Sequence, residues 1–234
     1  LVSVMMANNE VGSIQEVEKL AAIAHEYGAI FHTDAVQAVG HIPLHVKELG
    51  IDMLSASAHK FNGPKGIGFL YIRKDIEIFP YMNGGEQENG YRAGTENIAS
   101  IVGMSVALEK NCAQIKEITR YLRKLETIVM EMLVNSGLDF IRNGCQNRIP
   151  GNMSLSFYGA EGEMLLHRMD LKGICISTGA ACDSIKNQIS HVLRAMMVLE
   201  NYARGTIRIS FGKDNSEQDA IDIEGGLIRI LKNK

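Results

Sequence analysis

One lysine in the chain, Lys60, has neighbours that could make its amine reactive. Lys60 follows an apolar run over residues 53–57, and a turn rich in glycine and proline, residues 62–66, comes next. A lysine at the mouth of a buried strand can be partly desolvated, and its amine is then a nucleophile able to form an imine. A lysine without such neighbours is most often a solvated surface charge.

An acidic residue occupies a similar position. Asp34 lies in the segment HTDAVQ, residues 32–37, which also follows a short apolar run. Pyridoxal phosphate needs both groups, because a lysine forms its imine and an acid keeps its ring nitrogen protonated. By itself Asp34 would be interpreted as a turn or capping residue, so its functional interpretation depends on Lys60.

The elements around these residues predict an α/β fold. Short apolar runs alternate with a stretch of helical spacing that Gly28 terminates. Such alternation is typical of a parallel sheet covered by helices, in which ligands bind beyond the carboxyl ends of the strands. The predicted strands are residues 1–6, 29–32, 53–57 and 67–72, the predicted helix is residues 17–27, and the polar residues that follow strands are Asn8, Asn9, Asp34, His59 and Lys60.

The second half of the chain predicts a separate unit. Helical spacing runs from residue 97 to residue 136 and leads away from the sheet. We predict two domains, residues 1–112 and residues 113–234. In the second domain, the predicted strands are residues 153–157 and 206–210, and the predicted helices are residues 161–169, 190–197 and 216–231, the last with Ser216 as its N-cap.

Composition and charge argue against several classes of protein. The 234 residues include 24 Lys+Arg and 27 Asp+Glu, so the formal net charge is -3, unlike that of a general nucleic-acid or membrane-surface binder. The four cysteines form no C-x-x-C pair and are too scattered for a disulfide scaffold, so no metal site is predicted. No apolar run approaches the roughly 20 residues of a membrane helix. Residues 1–6 have the pattern of a strand, so we expect the chain to begin within a fold.

Five motifs occur in the chain in a recognisable order. They are MANNEVG (residues 6–12), D-x-x-Q with S-x-H-K (residues 34–37 and 57–60), GGEQENG with RAGTEN (residues 84–90 and 92–97), STGAAC (residues 177–182) and TIRIS (residues 206–210). In these motifs the chain resembles the class V aminotransferase family, and most closely its NifS/IscS-like cysteine desulfurases. The resemblance covers essentially the whole chain. It implies the PLP-dependent transferase fold, aspartate aminotransferase-like and of fold type I, with part of a large domain built on a mainly parallel sheet and a smaller α+β C-terminal domain.

The resemblance implies a role for each residue of the predicted cofactor site. Lys60 would hold pyridoxal 5'-phosphate as an imine and would later move the Cα proton of the substrate. Asp34 would pair with the ring nitrogen, and Gln37 would reach the phenolic oxygen of the ring. Ser57 and His59 would bind the phosphate, although a histidine in this position could also be purely structural.

The resemblance also implies how substrate and subunits are held. Asn9 would contact the cofactor or the substrate carboxylate, and Arg208 would clamp that carboxylate, because a guanidinium matches it with two parallel hydrogen bonds. Thr95, in the segment RAGT, would reach the phosphate in the other subunit's site, which implies a homodimer. The simpler alternatives are a turn residue for Asn9 and an edge-strand charge for Arg208.

The thiol predicted to take the sulfur of the substrate is Cys182. It lies in a stretch rich in Gly, Ala and Ser that polar residues follow, and we expect an exposed, mobile loop there. A thiolate is the attacking species in sulfur transfer, and exposure lets it pass the persulfide to an acceptor. Of the other cysteines, Cys175 is predicted to be buried in an apolar run, Cys112 to lie in a helix and Cys145 in a turn.

The implied reaction converts L-cysteine to L-alanine and passes the sulfur from an enzyme persulfide to an acceptor protein. The acceptor would be an iron–sulfur scaffold or a thiolation relay, and we expect a cytoplasmic protein without membrane association or direct nucleic-acid binding. The alternatives are a selenocysteine lyase, another class V aminotransferase, or a catalytically inactive fragment of a desulfurase.

Two departures from the family pattern bear on these expectations. Family members carry a segment before the equivalent of residue 1, which supplies a phosphate-binding turn and a histidine that stacks on the cofactor ring. The loop after Cys182 also differs at its tip, residues 186–190, so the identity of the sulfur acceptor stays open.

Overall fold

The computed structural model of the protein describes residues 1–179 and 189–232, which contain eight strands and six helices. The strands are β1 (Val2–Met5), β2 (Phe31–Asp34), β3 (Met53–Ser57), β4 (Gly68–Ile72), β5 (Phe140–Arg142), β6 (Asn152–Phe157), β7 (Ser177–Thr178) and β8 (Thr206–Ser210). The helices are α1 (Val17–Glu26), α2 (Ile98–Asn135), α3 (Gly162–Asp170), α4 (His191–Ala195), α5 (Glu200–Ala203) and α6 (Glu217–Lys232). Short 3-10 helices occur at Ala58–Phe61 and Gln87–Gly90.

The chain divides into two units. Unit 1 comprises Leu1–Ala7 and Gln15–Ile115, and unit 2 comprises Asn8–Ile14 and Lys116–Lys234. The chain thus enters unit 2 for a short segment after β1, returns to unit 1 before α1, and passes to unit 2 again within α2.

A four-stranded sheet, in the order β1-β2-β3-β4, forms the centre of unit 1. β1, β2 and β3 run parallel, with Val4 opposite Thr33 and Thr33 opposite Leu54. β4 runs antiparallel to β3, so the pattern-based prediction of a parallel sheet is correct for three strands and wrong for the fourth. The reason is the connection, because residues 58–67 are too few for the crossover that a parallel pair needs. The sheet is mainly parallel, as the resemblance implied.

The helix α1 covers this sheet with a face of small apolar residues. Val17, Ala21 and Ala24 recur at helical spacing and are buried in the same core as Phe31 of β2. Gly28 follows the helix with φ at +66°, a left-handed conformation that glycine adopts without strain. The predicted helix and its glycine stop are therefore confirmed.

A buried carboxylate ties together the amino ends of β2 and β3. Asp52 is 1% exposed, and its Oδ2 accepts a hydrogen bond from the backbone N–H of Phe31 at 2.7 Å. His25 Nε2 lies 2.8 Å from the same oxygen, and Arg73 Nη1 lies 2.6 Å from Oδ1. A buried charge is tolerated when it is paired and hydrogen-bonded in this way. These contacts fix where β2 and β3 begin.

A second four-stranded sheet, antiparallel and in the order β5-β6-β8-β7, forms the centre of unit 2. Its residues alternate between two faces. On one face, Met153, Leu155 and Phe157 of β6 lie in a core that also contains side chains of α2, α3 and α6. On the other face, Ser154 and Ser156 are buried and hydrogen-bonded.

The predicted elements of unit 2 occur with small shifts. Ser216 caps α6 as predicted, because its Oγ accepts a hydrogen bond from the Asp219 N–H at 3.1 Å. The helix α4 is shorter than predicted and ends at Ala195, since Met197 adopts a left-handed φ of +56°. Within residues 1–179 and 189–232, each helix is too short or too polar to span a bilayer.

The prediction that Cys175 is buried is wrong. Ile174 and Ile176 pack against the core of unit 2, but the thiol between them is exposed. Alternate residues of an extended chain point in opposite directions, so apolar neighbours do not imply that the residue between them is buried.

We predict that Asp52→Ala destabilises the protein. The change leaves the Phe31 N–H and the Arg73 guanidinium without their buried partner, so we expect the free energy of unfolding to fall by about 3 kcal/mol. Urea denaturation followed by circular dichroism measures this loss. Asp75→Ala is the matched control, because exposed Asp75 pairs with the same arginine at 2.6 Å; an equal loss in both variants would show that burial of Asp52 is not what matters.

Candidate active site

Two parallel strands end at residues predicted to hold a cofactor. β2 ends at Asp34, and the neighbouring strand β3 ends at Ser57. The chain then enters the 3-10 helix Ala58–Phe61, which carries His59 and Lys60. These four residues therefore lie at one edge of the unit 1 sheet, the edge at which ligands bind in parallel sheets.

The two oxygens of Asp34 are used differently. Oδ1 accepts a hydrogen bond from the Val36 N–H at 2.9 Å, which caps the turn after β2. Among the described residues, Oδ2 accepts no hydrogen bond. Gln37 follows in the same turn and is half-buried. The capping interpretation of Asp34 and the cofactor interpretation are compatible, since each needs a different oxygen.

An open cavity of about 440 Å³ lies beside the turn that carries Lys60. It is lined by Ser57, His59, Lys65, Gly66, Ile67 and Gly68. A hydroxyl, an imidazole and an ammonium group can all donate hydrogen bonds to a phosphate. Lys65 was not predicted as a site residue, although its place in the segment GPKG between two strands could have indicated a role.

The side chains of His59 and Lys60 are exposed. The sequence suggested that the Lys60 amine is partly desolvated. In the described part of the chain this is wrong, because the 3-10 helix carries the Lys60 side chain beyond the end of the sheet. The backbone is well held by contrast. His41 Nε2 lies 2.7 Å from the Lys60 carbonyl oxygen and donates a hydrogen bond to it.

A row of polar side chains crosses the three parallel strands. His32 Nδ1 lies 2.7 Å from Ser3 Oγ, and His32 Nε2 lies 2.9 Å from Ser55 Oγ. His32 precedes Asp34 by two residues, so both side chains stand on the same face of the sheet. The row fixes the imidazole plane on the face that carries Asp34. His32 was not predicted as a site residue, and its spacing of two residues from Asp34 is the signal that could have indicated it.

In unit 2, the structure joins Asn9 to Arg208. Arg208 Nη1 donates a hydrogen bond to the Asn9 carbonyl oxygen at 3.0 Å, and Asn152 Nδ2 donates to the same oxygen at 3.3 Å. Arg208 Nε is buried without a partner among the described residues. β8 lies between β6 and β7, so the alternative of an edge-strand charge is wrong. The guanidinium is thus oriented by backbone and retains donors for a ligand.

The loop that presents the Asn9 carbonyl is shaped by its neighbours. Asn8 Oδ1 accepts hydrogen bonds from the N–H groups of Glu10 and Val11, at 2.9 and 3.0 Å. The Glu10 side chain is 4% exposed, and among the described residues its Oε2 has no hydrogen-bond partner. A Cβ added to Gly179 would lie 3.4 Å from that oxygen. The loop therefore buries a carboxylate beside the residue that follows β7.

The remaining predicted site residues are Thr95 and Cys182. Thr95 lies in an exposed, irregular stretch before α2 and makes no hydrogen bond with the described residues of the cavity. Cys182 lies outside the described residues, and so does the rest of the segment 180–188.

The structure describes the three thiols other than Cys182. Cys112, Cys145 and Cys175 are free and exposed. Desolvation raises the pKa of the Cys112 thiol, so a smaller fraction is thiolate at neutral pH. Cys145 Sγ lies 2.7 Å from the Asn147 carbonyl oxygen, in a turn of unit 2. These contacts assign no role in sulfur transfer to Cys112 or Cys145.

Comparison with known proteins establishes the family. Residues 1–222 match the model of the aminotransferase class-V family. The chain belongs to this family, and its fold is that of the PLP-dependent enzymes of fold type I.

Within the family, the chain is similar to cysteine desulfurases. It is 47% identical to cysteine desulfurase IscS of Dictyoglomus turgidum, over 99% of this chain and 60% of the relative. It is 43% identical to cysteine desulfurase IscS of Methanosarcina thermophila, over 100% of this chain and 58% of the relative.

Comparison with solved structures leads to related proteins. A NifS-like protein superposes with a TM-score of 0.90 at 37% identity, covering 100% of this chain and 61% of that one. A structure described as SspA in complex with cysteine gives a TM-score of 0.71 at 34% identity, covering 89% of this chain and 58% of that one. The chain therefore spans about 60% of the length of the curated relatives it matches.

Proposed function

We propose that the complete protein is a PLP-dependent cysteine desulfurase. It converts L-cysteine to L-alanine and passes the sulfur through a persulfide on Cys182 to an acceptor protein. The main support for the proposal is one observation. Asp34 and Lys60 lie at the same end of neighbouring parallel strands, beside a cavity lined by Ser57 and His59. The similarity to cysteine desulfurases over nearly the whole chain supports the same reaction.

The donors at this edge fit pyridoxal 5'-phosphate. Ser57 and His59 would hold the phosphate in the cavity, and the Lys65 ammonium would add positive charge there. Asp34 Oδ2, which accepts no hydrogen bond from a described residue, would pair with the protonated ring nitrogen. Gln37, in the turn after β2, would reach the phenolic oxygen.

Lys60 would both hold the cofactor and move a proton. When bound, the cofactor supplies an electron sink for negative charge that develops at the substrate Cα. The exposed Lys60 amine would extend to the cofactor in the neighbouring cavity and, once released, would accept the Cα proton at Nζ. His41 holds the backbone at Lys60 through its hydrogen bond to the Lys60 carbonyl oxygen.

Arg208 would bind the carboxylate of the substrate. Its Nη1 is already directed by the Asn9 carbonyl, so little side-chain freedom is lost when a carboxylate binds the remaining donors. Asn9 thereby contributes to substrate binding through its backbone, and its exposed side chain is available to cofactor or substrate.

Cys182 would take the sulfur. Its thiolate attacks the substrate sulfur, so an S–S bond forms while the bond between sulfur and Cβ breaks, and the electron pair of that bond stays with carbon. A proton then completes the methyl group of alanine, and the enzyme retains a persulfide. Transfer of the outer sulfur to a thiol of the acceptor protein restores Cys182. We propose that the acceptor is an iron–sulfur scaffold or a thiolation relay in the cytoplasm.

This mechanism predicts different defects for Lys60 and Cys182. In the full-length protein supplied with pyridoxal 5'-phosphate, Lys60→Ala should abolish both the visible absorbance of the cofactor imine and sulfide release from L-cysteine. Cys182→Ser should retain the absorbance and lose sulfide release by roughly a hundredfold or more, because the nucleophile is gone. Absorbance spectra and a sulfide assay with dithiothreitol measure the two effects.

Cys145→Ser is the control, since that thiol is also exposed but has no proposed role. Sulfide release at the normal rate by Cys182→Ser would overturn the assignment of the nucleophile. If the 234-residue chain by itself stays colourless with pyridoxal 5'-phosphate, the inactive fragment is favoured, and turnover of selenocysteine but not cysteine by the full-length protein would favour the lyase.

A second prediction concerns Arg208. Arg208→Lys keeps the charge but loses the paired donors, so we expect the KM for L-cysteine to rise roughly tenfold with a smaller change in kcat. Arg204→Lys is the control, because exposed Arg204 pairs only with Glu200 among the described residues. Steady-state kinetics compare the variants, and an unchanged KM in Arg208→Lys would place the carboxylate elsewhere.

We also propose that the active protein is a homodimer in which Thr95 reaches the phosphate site of the partner subunit. Large apolar side chains are exposed in the segment that leads to Thr95, with Phe79 at 96% and Tyr81 at 89%. Exposed apolar side chains of this size fit a contact between subunits. Light scattering should give the mass of a dimer, and Thr95→Ala should weaken cofactor affinity roughly tenfold without changing that mass. A monomer with full cofactor affinity would contradict the proposal.

A further inference from the structure

The turn that carries Lys60 is held by side chains distant in sequence. Asn111 of α2 donates a hydrogen bond from Nδ2 to the Phe61 carbonyl oxygen at 2.8 Å, and His41 donates to the Lys60 carbonyl oxygen at 2.7 Å. Asn62 ends the turn with a left-handed φ of 64°, and its Nδ2 donates to Asn111 Oδ1 at 3.3 Å. The carbonyl groups of Lys60 and Phe61 therefore each accept a hydrogen bond from a side chain outside the turn.

The Asn111 side chain is buried and hydrogen-bonded at both its amide nitrogen and its amide oxygen. It is 8% exposed, and its Nδ2 also donates to the Ala107 carbonyl oxygen at 2.7 Å, one turn back in α2. With Phe61 and Asn62, this contact gives both the amide nitrogen and the amide oxygen a partner. A buried amide satisfied in this way is rigid.

Close packing reinforces these hydrogen bonds. A Cβ added to Gly40 would lie 2.9 Å from Phe61 Cβ and 3.3 Å from Asn111 Cβ. A Cβ added to Gly103 of α2 would lie 2.9 Å from Pro64 Cγ. The turn thus packs against α2 where Pro64 meets Gly103, and Gly40 packs against both Phe61 of the turn and Asn111 of α2. Glycine leaves the room for both contacts, so the turn and the helix are closely packed.

We infer that Asn111 and His41 are positioning residues for Lys60, an inference that rests on the proposed function. The Lys60 amine stands at the end of a long flexible side chain, so its reach is set by where the backbone places its Cα. A displacement of about 1 Å at a reacting group can cost a hundredfold in rate. Asn111 and His41 hold the backbone of the 3-10 helix so that the amine meets the cofactor carbon and the substrate proton.

The rate at which Lys60 forms its imine tests this inference. In full-length apoprotein mixed with pyridoxal 5'-phosphate, Asn111→Ala should slow the rise of the visible absorbance roughly tenfold or more. Pyridoxine 5'-phosphate lacks the aldehyde and cannot form an imine, so its affinity reports the intact phosphate site and should change less than about threefold. Thr127→Ala is the matched control, because Thr127 makes the same kind of contact within α2, to the Arg123 carbonyl oxygen at 2.9 Å.

His41 gives an independent arm if Asn111→Ala fails to fold. His41→Ala should slow imine formation, and His41→Gln should restore it, because the Gln amide can donate to the Lys60 carbonyl. A wild-type rate in Asn111→Ala and in His41→Ala would overturn the inference, and so would an equal loss of affinity for pyridoxine 5'-phosphate. Failure of the proposed function looks different, since the wild-type protein itself would then form no imine that depends on Lys60.

Discussion

The candidate site depends on the parallel pairing of β2 with β3. Because both strands end at the same edge of the sheet, Asp34 and the turn that carries Lys60 reach the same place although they are far apart in sequence. Asp52 fixes the opposite ends of the same two strands. A slip of one residue would turn Asp34 to the other face of the sheet. The carboxylate at one end of the sheet thus supports the chemistry proposed at the other end.

Much of the fold could be predicted because apolar periodicity reports local structure. The predicted bounds of β3 and β8 agree with Met53–Ser57 and Thr206–Ser210. The direction of β4 was missed because periodicity carries no direction, and the length of the preceding connection was the only available signal. The strands β5 and β7 were missed because two or three residues are too few to show a period.

The sequence was enough to predict the main residues of the candidate site. It was not enough to predict the residues that hold them in place. Asp34 and Lys60 were found because they follow apolar runs, and their placement at one edge followed from the fold class. Asn111 could not be found, since it lies in a helix whose pattern shows only which face is apolar. Its partner Phe61 is fixed by tertiary packing. The exposure of Lys60 was missed for a related reason, because the sequence does not show that the strand continues into a 3-10 helix.

The segment Asn8–Ile14 makes unit 2 discontinuous in sequence, and this bears on the order of folding. Its Gly12 carbonyl accepts a hydrogen bond from the Ile149 N–H at 2.9 Å, and its Asn9 carbonyl accepts one from Arg208 in β8. A ribosome delivers this segment well before either partner, so its contacts stay unmade while the rest of unit 1 is synthesised. Unit 2 can close only after β8 has emerged. The segment Asn8–Ile14 therefore has to wait for β8, and the Asn9 carbonyl orients the Arg208 guanidinium only when both have been synthesised.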